Sequence, residues 1–219
     1  MQPDTCAGDA PDAPVLWLVR HGRPVLAAGV CYGSTDVAAD PQHTAQIAAM
    51  LVQRLPQGAE MRTSPLQRCA ALARAVAAAR PDLTLHSEPR LAEMDFGCWE
   101  GWRWDDIPKA AFEAWTGQFA GHRFGGAECV QELLHRVAQV WDEAQAATAA
   151  QVWVTHAGVI AAASLLARGI RSVHDAGDWP APSPGPGSLL SLALDPPAAL
   201  RSPKETVARI NPNRLRLRG

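Results

Sequence analysis

Apolar residues recur along this chain in two rhythms, one of buried strands and one of amphipathic helices. Val15 to Val19 is a continuous apolar run behind Pro14, the pattern of a strand covered on both faces. Asp40-Pro41 then offers an N-cap with proline at the first helical position. Ile47, Leu51 and Leu55 follow on one face, so a helix is predicted. Glu60 to Thr63 reads as a short extended piece, which places Arg62 at a strand end just ahead of a helix. In "SPLQRCAALARAVAAA", Ser64, Pro65 and Gln67 predict a capping-box start, and Leu66, Cys69, Ala73 and Val76 form an apolar stripe. Leu83 to His86 reads as a further strand after the turn at Pro81-Asp82.

From Leu91 to Gly126 the periodicity breaks into a Trp- and Gly-rich stretch with one helix expected near Pro108 to Trp115. Val130, Leu133, Leu134, Val137, Trp141 and Ala144 then recur at helical spacing. "QVWVT" predicts a strand, His156-Ala157-Gly158 a tight turn, and Val159 to Leu166 a helix. "DWPAPSPGPGS" is too rich in proline for regular structure, while "SLLSLAL" and "TVARIN" are expected to finish the sheet. Strands alternating with helices predict an α/β fold: a three-layer sandwich whose mostly parallel central sheet carries helices on both faces. Residues 1–13 read as a mobile lead-in, and 14–219 as a single domain with a Trp-rich insertion at about 94–126.

Composition narrows the classes. With 47% hydrophobic and 19% charged residues, the 219-residue chain has the make-up of a soluble globular protein. A net charge of -2 supplies no basic field for nucleic acid. No apolar run approaches the roughly 20 residues needed to cross a bilayer. The N-terminal segment lacks the positive start and apolar core of a secretory signal, so the cytoplasm is expected. Five cysteines, scattered and without CxxC spacing, read as free thiols rather than disulfides or zinc ligands. Nothing in the pattern decides between a monomer and a homodimer.

In sheets of this kind ligands gather beyond the carboxyl ends of the strands, where Arg20, His21, Arg62 and His156 are all expected. Singly, each reads as a surface group or a satisfied hydrogen-bonder. Together they would repel one another by several kcal/mol at about 4 Å and an effective dielectric near 20, unless an anion sat among them. A phosphoryl group fits, because guanidinium forks match its oxygens. The helix after Ser64 would add a positive dipole end, and the Ala157-Gly158 turn backbone N–H groups.

The segments "LVRHGRP", "TSPLQRCAALA", "LAEMDFGCWEG" and "VTHAGVI", in this order and spacing, resemble the histidine phosphatase superfamily, with its phosphoglycerate-mutase-like fold. The resemblance spans roughly Val15 to Arg168. It implies that His21 is the nucleophile that becomes phosphohistidine, and that Arg20, Arg62 and His156 hold the phosphoryl oxygens. It further implies that Glu93 protonates the leaving oxygen, while Gly22, Ala157 and Tyr32 contribute to the substrate site. Phosphate monoesters hydrolyse so slowly that catalysis must supply roughly 20 kcal/mol or more, and a covalent intermediate divides that task into two in-line displacements. His21 must then be neutral, with its second ring nitrogen donating to a backbone carbonyl. Neither metal nor cofactor is expected, and the partner is a small phosphate ester.

"CYGSTDV", "EMDFGCWEG" and "GAECVQELLHRV" resemble the alpha-ribazole phosphatases within that superfamily. The chain departs from common family patterns at Arg23-Pro24, and at Gly126-Ala127-Glu128-Cys129, where relatives carry Gly-Gly-Glu-Ser. A mutase, a phosphatase of broad specificity and a non-catalytic phosphoryl-binding module stay open as alternatives. Trp99, Trp102, Trp104 and Trp115 read either as a stacking wall for an aromatic base or as packing of the insertion. Arg68, one turn into its helix, either reaches the phosphate site or decorates the helix. His43, His86, His122, His135 and His174 read as surface or structural groups, and "NRLRLRG" as a solvated tail or edge strand.

Overall fold

A computed structural model describes residues 14–194. Five strands, β1 (Val15–Arg20), β2 (Glu60–Thr63), β3 (Thr84–Ser87), β4 (Gln151–Thr155) and β5 (Leu189–Ala193), form one sheet in the order β3-β2-β4-β1-β5. Neighbouring strands are parallel except β5, which runs antiparallel to β1 with Leu16 opposite Leu192. The chain therefore builds outward from β1 to β3 and returns to insert β4 between β2 and β1. That reversal opens a crevice at the carboxyl ends of β1, β4 and β2, where ligands bind in open α/β sheets.

Helices cover both faces. α1 (Pro41–Arg54) and α2 (Gln67–Ala79) bury Ile47, Leu51, Leu72 and Val76 with Met61 and Val154. α4 (Val130–Ala146) and α5 (Ala157–Ala167) bury Leu133, Val137, Trp141, Ile160 and Leu165 with Leu16, Leu18 and Trp153 on the other face. Each such aliphatic side chain contributes about 1.5–3 kcal/mol on leaving water. α5 is apolar nearly all round because it is enclosed nearly all round. The three-layer expectation and the mostly parallel sheet both hold.

Local signals mostly set the boundaries. Asp40 caps α1, its carboxylate accepting the His43 N–H at 2.9 Å, with Pro41 following. Two expectations fail. Ser64 does not cap α2; the helix starts at Gln67, and Asp36 of a distant loop accepts the Gln67 N–H at 2.6 Å instead. His156-Ala157-Gly158 is no separate turn, because β4 passes straight through His156 into α5. The insertion folds into α3 (Lys109–Gly117) and several short 3-10 turns around an aromatic cluster. Among the described residues no helix is long and apolar enough to cross a membrane. The lead-in at 1–13, the strand expected at "TVARIN" and the "NRLRLRG" tail lie outside the described residues.

Candidate active site

β1 ends by delivering Arg20 and His21 to the crevice. The His21 N–H donates to Thr155 O at 3.1 Å and the Ser64 N–H to Val154 O at 3.0 Å, so the ends of β1 and β2 flank the end of β4. His21 is 1% exposed. Its Nδ1 lies 2.7 Å from the carbonyl oxygen of Gly22, which requires the ring proton on Nδ1 and leaves the Nε2 lone pair available. Burial, the dominant cause, pushes the His21 pKa down to about 3; the bond to the Gly22 carbonyl opposes it, and the Arg68 and Arg20 charges add to the depression. The imidazole is therefore neutral across the physiological range. Gly22 is constrained as well: a β-carbon there would stand 2.9 Å from Thr44 Oγ1 on α1.

Behind His21, its ring centroid 5.1 Å away, lies His156. His156 is fully buried, and both of its nitrogens have protein partners. Arg68 donates from Nε to Nδ1 at 3.3 Å, so Nε2 carries the proton and faces Ser64 Oγ at 2.8 Å. Burial, then the charge of Arg68, hold its pKa well below the ordinary histidine value. Arg68 itself is wholly buried, and its two terminal nitrogens donate to the carbonyls of Gly33 at 2.6 Å and Thr35 at 2.8 Å. Tyr32 lies under its guanidinium, ring centroid 5.3 Å away.

The Glu93 carboxylate reaches the same space from the segment after β3. It accepts the N–H of Gly158 at 3.1 Å and that of Met94 at 3.1 Å. A cavity of about 390 Å³ opens in front of these groups. Arg20, His21, Glu93, Ala157 and Gly158 form its polar end. Phe96, Trp104, Trp115, Phe119 and Trp179 line the remainder. Arg20 donates to the carbonyl of Pro184, while its Nε is buried without a partner.

The sequence matches the histidine phosphatase superfamily (branch 1) over residues 16–179. The chain belongs to that superfamily. No curated protein matches it by sequence. Among solved structures it is similar to a mycobacterial glucosyl-3-phosphoglycerate phosphatase, at 23% identity and a TM-score of 0.69, over 83% of this chain and 90% of that one. It is similar also to the protein titled mycobacterial hydrolase 2, at 23% identity and a TM-score of 0.69, over 82% and 81%. TTHB049 from Thermus thermophilus aligns at 27% identity and a TM-score of 0.61, over 81% and 92%. The first two likenesses establish the shared histidine phosphatase fold.

At this candidate site the structure brings together Arg20, His21, Gly22, Tyr32, Glu93, His156 and Ala157, but not Arg62. Side chains alternate along β2, so Met61 and Thr63 face the α1–α2 core, and Arg62 faces the opposite layer. There it donates to Glu143 of α4 at 2.5 Å and lies 3.9 Å from Glu88. The guanidinium that joins Arg20 beside the site is that of Arg68, which stands behind the cavity lining and bonds His156. The sequence carried a signal for it: Arg68 precedes Leu72 and Val76 by four and eight residues, which places an arginine on the buried face of α2.

The tryptophans divide. Trp104 and Trp115 line the cavity and also pack on Phe124, at ring-centroid distances of 6.2 and 4.5 Å. Trp99 packs against Trp102, which is 48% exposed, and neither lines the cavity. Glu100 of the "FGCWEG" segment accepts the backbone N–H groups of Ser34, Thr35 and Phe96, tying the insertion to the loop that carries Tyr32.

Proposed function

We propose that this protein hydrolyses a phosphate monoester through a phosphohistidine on His21, without a metal, and that its substrate is alpha-ribazole 5'-phosphate. The observation that carries the reaction is the state of His21: buried, neutral, its tautomer fixed by Gly22, and its free nitrogen at the polar end of a cavity. The Nε2 lone pair attacks phosphorus and the P–O bond to the alcohol breaks, its oxygen taking the proton of Glu93. Water then gives a proton to the Glu93 carboxylate and attacks the phosphohistidine. Phosphate leaves with the P–N bond broken and both residues restored. Arg20 and the buried charge of Arg68 oppose the negative charge of the transferring group.

Support for an aromatic alcohol comes from the wall. Five aromatic rings and Met94, Val130 and Leu133 surround the space beyond the phosphoryl end. Arg20 is the sole cationic lining group among the described residues. A carboxylated alcohol such as a glycerate would find no second cation there, whereas a benzimidazole riboside would find stacking surfaces. The mutase alternative is disfavoured on the same ground.

The test is phosphate release from alpha-ribazole 5'-phosphate, 3-phosphoglycerate and an aryl phosphate, in EDTA, with His21→Ala as control. The expected result is a kcat/KM preference for the ribazole ester that the variant abolishes. Turnover by His21→Ala would refute the nucleophile, dependence on added metal would refute the metal-free route, and equal rates on all three esters would refute the substrate.

A further inference from the structure

Arg136, on the second turn of α4, does not line the cavity, yet both of its terminal nitrogens reach the segment that carries Glu93. Nη1 donates to the carbonyl oxygens of Arg90 at 2.7 Å and Ala92 at 2.6 Å. Nη2 donates to the carbonyl of Glu93 at 3.2 Å. The other side of the fork is filled by Glu128, bound from Nε at 2.7 Å and from Nη2 at 3.0 Å. Glu128 in turn accepts the Asp95 N–H at 3.1 Å, and its own N–H donates to Asp95 O at 3.3 Å.

This bidentate pair therefore holds the backbone immediately before, at and after residue 93. The segment leaves a single 3-10 turn, Pro89–Leu91, and belongs to no sheet, so its carbonyls depend on side-chain donors. The two side chains are only 21% and 17% exposed, which keeps water from competing strongly. Glu93 has a flexible side chain whose carboxylate meets two backbone N–H groups, from Met94 and Gly158. One of them is its own neighbour in the clamped segment. The other sits on α5, so the carboxylate position depends on the distance between segment and helix. Proton transfer in the transition state requires heavy atoms within about 2.6–3.2 Å.

We propose that Arg136 and Glu128 are a positioning pair for Glu93, setting the reach of its carboxyl group to the leaving oxygen. This rests on the reading of Glu93 as the proton donor. Because a dinitrophenolate departs without a proton and a simple alkoxide does not, the pair matters in proportion to the basicity of the leaving group.

The experiment measures kcat/KM for dinitrophenyl, phenyl and alkyl phosphates with wild type, Arg136→Lys, Glu128→Gln, Glu93→Gln, and Arg136→Lys combined with Glu93→Gln. Thermal melts establish that each variant is folded, and Glu128→Gln, which keeps the shape of the clamp, serves if Arg136→Lys does not fold. The expected result is near-normal rates on the dinitrophenyl ester and losses on the order of 10- to 100-fold on the alkyl ester, with no further loss when Glu93 is already Gln. An equal loss on all three esters, no loss on any, or full additivity with Glu93→Gln would overturn the proposal. If Glu93→Gln itself shows no dependence on the leaving group, the proton-donor reading falls and the proposal with it. A steep dependence for Glu93→Gln but a flat one for Arg136→Lys and Glu128→Gln overturns the proposal alone.

Discussion

His21 illustrates how burial governs both the protonation state of a side chain and the pH dependence of stability. Its pKa is depressed to about 3, so between that value and the ordinary 6.5 the unfolded chain binds a proton that the folded chain does not. Stability therefore rises with pH through this window and falls on acidification. One fully titrating group gives a slope of about 1.4 kcal/mol per pH unit. His156, depressed in the same direction, adds to it. Urea unfolding at several pH values from neutral to mildly acidic should show this loss, and His21→Gln, which has no titrating ring, should show a shallower one. An identical slope in the variant would mean that His21 is protonated in the folded state. The same depressed value keeps the His21 imidazole neutral through the neutral pH range.

Elements explain what the two arginines do. Arg62 stands in the strand-end position that the motif order suggested. The alternation of β2 nevertheless turns it to Glu143, and a strand four residues long gives no sequence clue to which face is which. Arg68 lies in the helix register of Leu72 and Val76, but the sequence does not reveal that α2 would press this face against the carboxyl ends of β1 and β4. Strands and helices were legible because their periodicities are local, and His21, Glu93 and His156 because they sit at strand ends or in ordered motifs. The choice between Arg62 and Arg68 depended on tertiary packing. Arg62→Ala should keep kcat/KM within about threefold, because Arg62 pairs with Glu143 and Glu88 away from the cavity. Arg68→Ala should lower it by about 100-fold or more, since a preorganised charge beside the reacting group is removed; steady-state kinetics on one aryl phosphate compares them directly. In Gly158→Ala, the new β-carbon would stand 2.3 Å from Glu93 Oε1, the mobile end of a side chain. That variant should fold with a normal melting temperature but lose about 10- to 100-fold on alkyl phosphates, because Glu93 rather than the backbone gives way.

At the scale of the molecule, the cavity is assembled from parts far apart in sequence. β1 and α5 supply the reactive end, the insertion supplies Phe96, Trp104, Trp115 and Phe119, and the segment before β5 supplies Trp179 and Ser183. Trp179 meets Phe119 edge to face, ring centroids 6.0 Å apart, and joins the two walls. Phe119 is also stacked on Trp115, at 5.7 Å, so the wall is continuous from the insertion to the segment that follows α5. The Pro184 carbonyl that receives Arg20 belongs to that same segment, which therefore touches both ends of the cavity. Removing Trp179 should take away stacking surface without touching His21, Glu93 or Arg68. For an aromatic ester, Trp179→Ala should raise KM by roughly 5- to 150-fold, the equivalent of about 1–3 kcal/mol of stacking. For a small alkyl phosphate, which cannot reach the wall, KM and kcat should both stay near wild type. Michaelis–Menten kinetics on the two esters separates the cases. A KM increase confined to the aromatic ester assigns the wall to recognition of the alcohol, whereas equal losses on both esters would mean that Trp179 acts by supporting the Pro184 segment and, through it, Arg20.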